Sequence, residues 1–266
     1  MSDFFSVRVD ARVAVVSMLQ STMPPAYFRA LGETFRGFEG DPAIGAVVLR
    51  NEGRQFSYGL DLAAAAAEMG EAFAGGGADT RMGLHRTILQ LQRELDAVAR
   101  CEVPVIAAVH GWCIGGGLDL AAACDLRLAS RDVKFSLRET RIAIVADLGS
   151  LQRLPPIIGE GATRELAFTG KDIGADKALR IGLVNELYDT REALDEAALA
   201  MAHEIAANPP LTVRGTKRVL DQNRERAVAE SLAYVAAWNA AFLASEDLGE
   251  AIGAFVEKRK PRYQGR

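Results

Sequence analysis

Residues 105–120 read VIAAVHGWCIGGGLDL: an apolar, strand-like run enters three consecutive glycines and leaves as a helix-like segment. Glycine lets a ligand approach the main chain closely. The first N–H groups of a helix lack intrahelical partners and sit at the positive end of its dipole. Such a turn can hold an oxyanion. Gly115-Gly116-Gly117 lacks both the GK[ST] ending of a phosphate-gripping loop and the G-x-G-x-x-G spacing of a dinucleotide site. A plain strand-to-helix turn is the simpler alternative. A second segment, 56–62 (FSYGLDL), follows an apolar run at 44–49, and its Gly59 can present the N–H of Leu60 as another donor. A third, 135–149 (FSLRETRIAIVADLG), puts Glu139 and Asp147 on either side of a mostly apolar stretch. Carboxylates in such surroundings can trade protons near neutrality. Taken singly, a surface charge for Glu139 and a helix cap for Asp147 are the blander readings.

These segments need a frame. Two β-type runs, 5–10 and 12–19, are joined as tightly as a hairpin. Helical periodicity follows at 26–38 after Pro24-Pro25, and the runs at 44–49 and 104–109 are short enough for buried strands. Residues 63–67 favour helix, and Gly75-Gly76-Gly77 predicts a mobile loop. Residues 80–100 form an amphipathic pattern with Leu84, Ile88, Leu91, Leu95 and Val98 on one face. A short helix at 118–124 precedes extended runs at 126–129 and 133–137. Beyond residue 150 helices are expected at 159–168, 175–181, 192–207, 211–226, 228–244 and 246–258, with one extended piece at 183–187. Strands alternating with helices predict an α/β core with a partly parallel sheet. The late helices must bury their apolar faces on each other, on the core or on another subunit.

Composition narrows the classes. Apolar residues are 49% and charged residues 25% of 266, a mix that supports a sizeable core. A formal charge of −4 argues against a surface built for nucleic acid or an anionic membrane. No apolar stretch approaches the ~18 residues of a membrane span, and the first residues lack a secretory pattern. Cys101, Cys113 and Cys124 are an odd set without CxxC spacing. They read as buried thiols of a reducing, cytoplasmic compartment. His85, His110 and His203 are far apart and read as structural, so no metal is expected.

Together the segments resemble the enoyl-CoA hydratase/isomerase (crotonase) superfamily, with further likeness at 169–187 and 255–261. The resemblance implies a spiral of ββα units over residues 1–200 and a helical trimerisation region over 201–266. It implies main-chain donors at Leu60 and Gly116 for a thioester oxygen. Tyr58, Gly59, Leu60, Asp61, Leu62, Gly115, Gly116 and Lys258 are then expected to bind substrate. Hydratases of this family carry two glutamates, and Asp119 and Glu139 occupy those places here. Where a proline–glycine pair is usual, this chain has Ala146-Asp147. The trio Asp119, Glu139 and Asp147, with Leu-Gln-Arg-Leu-Pro at 151–155, is similar to the Δ3,5-Δ2,4-dienoyl-CoA isomerase branch. The resemblance thus implies an acyl-CoA thioester substrate, no cofactor apart from the coenzyme A of that substrate, and a homo-oligomer, trimer or hexamer. A hydratase using Glu139 with Asp119 is the alternative, and a non-catalytic or RNA-binding relative a more distant one. Arg138 and Arg141 flank Glu139 and would depress its pKa if either pointed inward.

Overall fold

A computed structural model describes residues 3–73 and 77–265. Gly75 and Gly76, part of the expected mobile loop, lie outside the described residues. The hairpin expected at the start is present: β1 (Phe5–Asp10) pairs antiparallel with β2 (Val13–Met18), Asp10 opposite Val13. Ala11 and Arg12 make the two-residue turn with φ of 42° and 69°, which matches the twist of the strands.

From β2 onward a unit repeats: a long buried strand, a short strand, then helix. The first is β2, β3 (Thr22–Met23) and α1 (Pro25–Arg36). The second is β4 (Ala46–Asn51), β5 (Gly59–Leu60), α2 (Leu62–Phe73) and α3 (Ala78–Ala99). The third is β6 (Val105–Val109), β7 (Trp112–Ile114) and α4 (Gly116–Ala123). The fourth is β8 (Leu126–Ser130), β9 (Lys134–Ser136), a 3-10 turn (Glu139–Ile142) and α5 (Ser150–Thr169). Then come β10 (Asp172–Gly174), α6 (Ala175–Arg180), β11 (Glu186–Tyr188), α7 (Arg191–Ala207), α8 (Pro210–Phe242) and α9 (Glu246–Val256). The long strands form one sheet in the order β1-β2-β4-β6-β8-β11, parallel except for β1. The short strands pair with one another, β3 with β5 and β7 with β9, and a Ser57–Cys113 bridge joins the two pairs. This pairing of the short strands sets the strand-to-helix turn at Leu60 beside the one at Gly116.

The long strands are apolar at nearly every position because both faces are covered. Successive side chains alternate between faces. Ala14, Val16, Val47, Leu49, Val105, Ala107 and Val109 pack toward one cluster, with Tyr27, Phe28, Leu95 and Leu118. Val13, Val15, Ala46, Val48, Ile106, Ala108 and Leu128 pack toward α7. Leu194, Ala198, Ala202 and Ala206 recur every four residues along α7, a stripe small enough for close docking. Residue 200 therefore falls inside a helix that belongs to the sheet's packing.

The structure revises several expectations about the second half. The helices at 211–226 and 228–244 are one continuous helix, α8. A charged stretch interrupts the apolar period there, but backbone hydrogen bonding needs no period to continue. The helix expected at 159–168 is present, after a non-helical break at Gly159 with φ of 80°, and a preceding helix that was not expected starts at Ser150. Pro155 and Pro156 sit in its second turn. The face of α3 also contains a buried polar residue, Gln92, between Ile88 and Leu95. α8 lies against α3 and α5, while α9 lies on the 3-10 turn, with Leu84, Ile88, Ala236, Leu243 and Leu248 forming their shared cluster. No single helix among the described residues is long and apolar enough to cross a membrane.

Candidate active site

Two main-chain nitrogens meet where the second and third repeats touch. Gly59 has φ 80°, and a Cβ there would lie 2.8 Å from Gly116 N and 2.7 Å from Ile114 O. A Cβ on Gly116 would be 3.5 Å from Leu60 N. The N–H groups of Leu60 and Gly116 are thus neighbours across a gap without room for a methyl group. Hydrogen bonds fix the frame around them: Ser57 N to Trp112 O at 2.8 Å, Ile114 N to Ser57 O at 2.9 Å and Gly115 N to Ser136 O at 3.0 Å. The N–H of Asp61 is the one taken by Met23 O, at 3.0 Å. Gly116 opens α4, where N–H groups have no intrahelical acceptor.

The three acids come together beside this pair. Glu139 lies over the glycine run, its Oε1 3.0 Å from where a Gly115 Cβ would stand. Its Oε2 is out of reach of solvent and has no hydrogen-bond partner. Burial raises its pKa well above the ordinary carboxylate range, and the charges of Asp119 and Asp147 raise it further. Asp119, on α4, is 1% exposed, and its Oδ1 accepts the N–H of Ser150 at 2.5 Å. Burial raises its pKa as well, against the lowering effects of the Ser150 contact and of Arg153. Asp147 is half-buried. Burial pushes its carboxyl up to about 7, while a hydrogen bond from Asn239 pulls the other way and the Asp119 charge adds to the rise. Three carboxyls whose charges are felt mutually titrate as a set.

The loop carrying Asp147 is held at successive residues by buried side chains. Ala143, in the left-handed region at φ 57°, turns the chain out of the 3-10 helix, and Ile144 N donates to Glu139 O at 3.0 Å. Gln92 Nε2 donates to Asp147 O at 2.7 Å, and Arg153 Nη1 donates to Leu148 O at 3.2 Å. Arg153 is itself paired with Asp96 of α3. Asp119 then receives Ser150 N, so that it doubles as the acceptor for the start of α5. Asn239 Nδ2 donates to Val145 O at 2.8 Å and to Asp147 Oδ2 at 2.7 Å.

The other residues expected at the site are placed as follows. Tyr58 is exposed at the rim. The carboxylate of Asp61 accepts from Ala63 N and Ala64 N at 3.1 and 3.0 Å, which caps α2. Leu62, with Ala63, Ile142, Ile144, Ala251 and Phe255, lines an apolar cavity of about 180 Å³ between α2, the 3-10 turn and α9. Lys258 stands on the exposed tail after α9, and its neighbour Arg259 is engaged by Glu250 and Glu257. Arg138 turns away from the acids to pair with Asp172 at 2.8 Å and to cover Trp112, and Arg141 reaches Thr169 O. Neither opposes the rise at Glu139. Among the described residues no three His, Cys, Asp or Glu side chains are grouped as metal ligands, the acid trio included. Cys101, Cys113 and Cys124 are buried free thiols. His110 is buried, with Nε2 2.9 Å from Gly53 O.

Sequence reading missed Asn239 and Gln92, and gave Arg153, within the 151–155 segment, no role of its own. The signal for Asn239 was available: Leu232, Val235, Ala236, Asn239 and Leu243 keep helical spacing, and one member of that buried stripe is polar. A buried amide must find partners, and these it finds on the acid loop.

The enoyl-CoA hydratase/isomerase family model matches residues 11–266. The chain is 40% identical over 239 residues to a peroxisomal Delta(3,5)-Delta(2,4)-dienoyl-CoA isomerase of Arabidopsis thaliana, covering 89% of this chain and 86% of that one. It is also 40% identical over 244 residues to a mitochondrial protein of the same description from Dictyostelium discoideum, covering 92% and 83%. Among solved structures, an enoyl-CoA hydratase/isomerase from Pseudoalteromonas atlantica T6c superposes with a TM-score of 0.82 at 26% identity, over 98% of this chain and 100% of that one.

Proposed function

The chain belongs to the enoyl-CoA hydratase/isomerase family and has the crotonase α/β fold with C-terminal helices, and on that premise we propose that it converts a 3,5-dienoyl-CoA to the 2,4-dienoyl isomer. The observation that carries this reading is Asp147. It is a second proton-exchanging carboxyl, next to Glu139 and held by its own donor, in a place where hydration of a 2-enoyl thioester has no use for one. The identity to dienoyl-CoA isomerases supports the same substrate class. The hydratase alternative would use Glu139 with Asp119, but Asp119 is committed to Ser150 N.

Leu60 N–H and Gly116 N–H donate to the thioester oxygen and so stabilise the dienolate. Glu139, over the glycine run and hence on the thioester side, takes the proton from C2. Asp147 delivers a proton to C6. One C–H bond breaks and one forms, and return of a proton from Glu139 to Asp147 resets the pair. The relay needs one proton shared by two carboxyls of similar affinity, which is what the upward shifts of both supply. The part of the acyl chain beyond C6 fits the apolar cavity walled by α2 and α9. Self-association completes the proposal: Tyr234, Trp238 and Phe242 form an exposed aromatic row on α8.

The test is an absorbance assay of the conjugated 2,4-dienoyl thioester formed from a 3,5-dienoyl-CoA, run beside 2-enoyl-CoA hydration. The expected result is faster isomerisation, with a bell-shaped pH profile. Below both transitions no base is ionised, and above both no acid remains for C6. Both limbs lie above the ordinary carboxylate range, as the raised pKa values require. Hydration alone would overturn the isomerase reading.

Gly59→Ala tests the two donors. The added Cβ meets Ile114 O and Gly116 N at a backbone angle that suits glycine, so the gap must open. Turnover falls by roughly 10²–10³-fold, the usual loss for a spoiled oxyanion donor. Unchanged kcat in this variant would remove the Leu60–Gly116 pair from the chemistry.

A further inference from the structure

The acid loop is tied to α8 at two points on one helical face. Gln92 Nε2 donates to both Asp147 O and Leu232 O, at 2.7 and 3.1 Å. Two turns further on, Asn239 donates from one amide nitrogen to Val145 O and Asp147 Oδ2. Asn239 is 2% exposed, so its amide is itself out of water's reach, where a donor left unpaired is costly. The two hydrogens of Nδ2 have different tasks. One fixes the backbone two residues before the acid, and the other fixes the acid's own oxygen. An amide nitrogen donates and does not accept, so Oδ2 must face it as an acceptor. That leaves Oδ1 as the oxygen free to carry or release a proton.

We propose that Asn239 is the positioning residue of Asp147, using its two N–H groups to lock the carboxyl's orientation and to reserve Oδ2 as an acceptor, so that proton exchange runs through Oδ1 alone. The role rests on the reading that Asp147 transfers a proton. It makes the last long helix a component of the proton relay. The charged and titratable groups around the acid loop are Asp119 from α4, Glu139 from the 3-10 turn, and Arg153 of α5 with its partner Asp96 of α3. α8 contributes a neutral donor, Asn239. Removing that donor therefore disfavours the ionised form of Asp147 without adding or deleting a formal charge.

The experiment compares Asn239→Leu, Asn239→Asp and Gln92→Met with wild type. Asp147 is titrated by carboxyl ¹³C NMR, assigned with Asp147→Asn, and kcat and KM are measured across pH with a 3,5-dienoyl-CoA. In Asn239→Leu the Asp147 midpoint rises by about one pH unit, from the loss of a hydrogen bond to the charged form. Its kcat falls by roughly 10–100-fold, part of the contribution of a positioned acid, and KM stays within about threefold. Asn239→Asp keeps the shape and carries the test if the leucine variant does not fold. Its midpoint also rises, because a donor survives only while one carboxyl is protonated. Gln92→Met removes the bonds to the Asp147 and Leu232 carbonyls but none to the Asp147 carboxyl, and leaves the midpoint where it was. A folded Asn239 variant with an unmoved midpoint, or with unchanged kcat, overturns the proposal. If wild type isomerises no dienoyl thioester yet the midpoint moves as stated, the proposed reaction fails while the locking of Asp147 by Asn239 stands.

Discussion

Asp147→Asn should abolish the isomerisation of a 3,5-dienoyl thioester, by about a thousandfold in kcat, while leaving exchange at C2 running. General acids contribute about 10²–10⁴-fold, and an amide in place of the carboxyl has no proton to give. The substitution is nearly isosteric, and the asparagine oxygen can still accept from Asn239, so the loop keeps its ties to Gln92 and Arg153. Leu60, Gly116 and Glu139 remain, so the C2 proton can still leave and return. In deuterated water the variant should therefore label C2 of the substrate without building the conjugated product. Loss of one like charge also eases the burden on Glu139, whose pKa should move down toward the ordinary range. Product formation within tenfold of wild type would take Asp147 out of the reaction. Loss of C2 exchange together with product would assign it to the wrong carbon.

Glu139→Gln should fail in the opposite way, losing C2 exchange and isomerisation together by about 10³–10⁴-fold, and it should gain stability. Wild-type Glu139 holds its proton more tightly folded than unfolded, because burial and two neighbouring acids disfavour the charge. Between its unfolded and folded pKa the folded state binds the extra proton, so stability falls as pH rises through that window. Gln carries no charge and escapes the penalty. Urea unfolding at pH 8 should show the variant more stable by about 2 kcal/mol, a fraction of what a shift of several units implies. Near pH 4 the difference should vanish. A variant no more stable at pH 8 than wild type would mean that Glu139 is not under electrostatic strain.

Much of this site was legible in the chain's own spelling. The order of apolar strand, glycine run and helix announced a turn whose N–H groups face outward, and β6, Gly115–Gly117 and α4 realise it. Glu139 and Asp147 stood out because charged residues bracket an apolar stretch, and the structure brings them together with Asp119. Orientation was not legible. Arg138 and Arg141 flank Glu139 in sequence, yet β9–β10 pairing and the 3-10 turn aim them at Asp172 and Thr169 O. Asp61, expected to meet substrate, has its carboxylate on the first turn of α2. The short strands β3, β5 and β7 are too brief for a period-2 pattern and exist because longer strands align them. Asn239 is separated from Asp147 by 92 positions, and only packing of α8 on α3 makes them neighbours.

That separation has a consequence for how the protein comes into being. On a ribosome the sheet and both layers covering it are complete once α7 has emerged. At that moment Asp147 is present but α8, which carries its amide donor, has not yet emerged. Domains fold as their chain emerges, N-terminal parts first. A nascent chain of this protein would therefore be folded before it is competent, and its proton chemistry would switch on only when α8 docks.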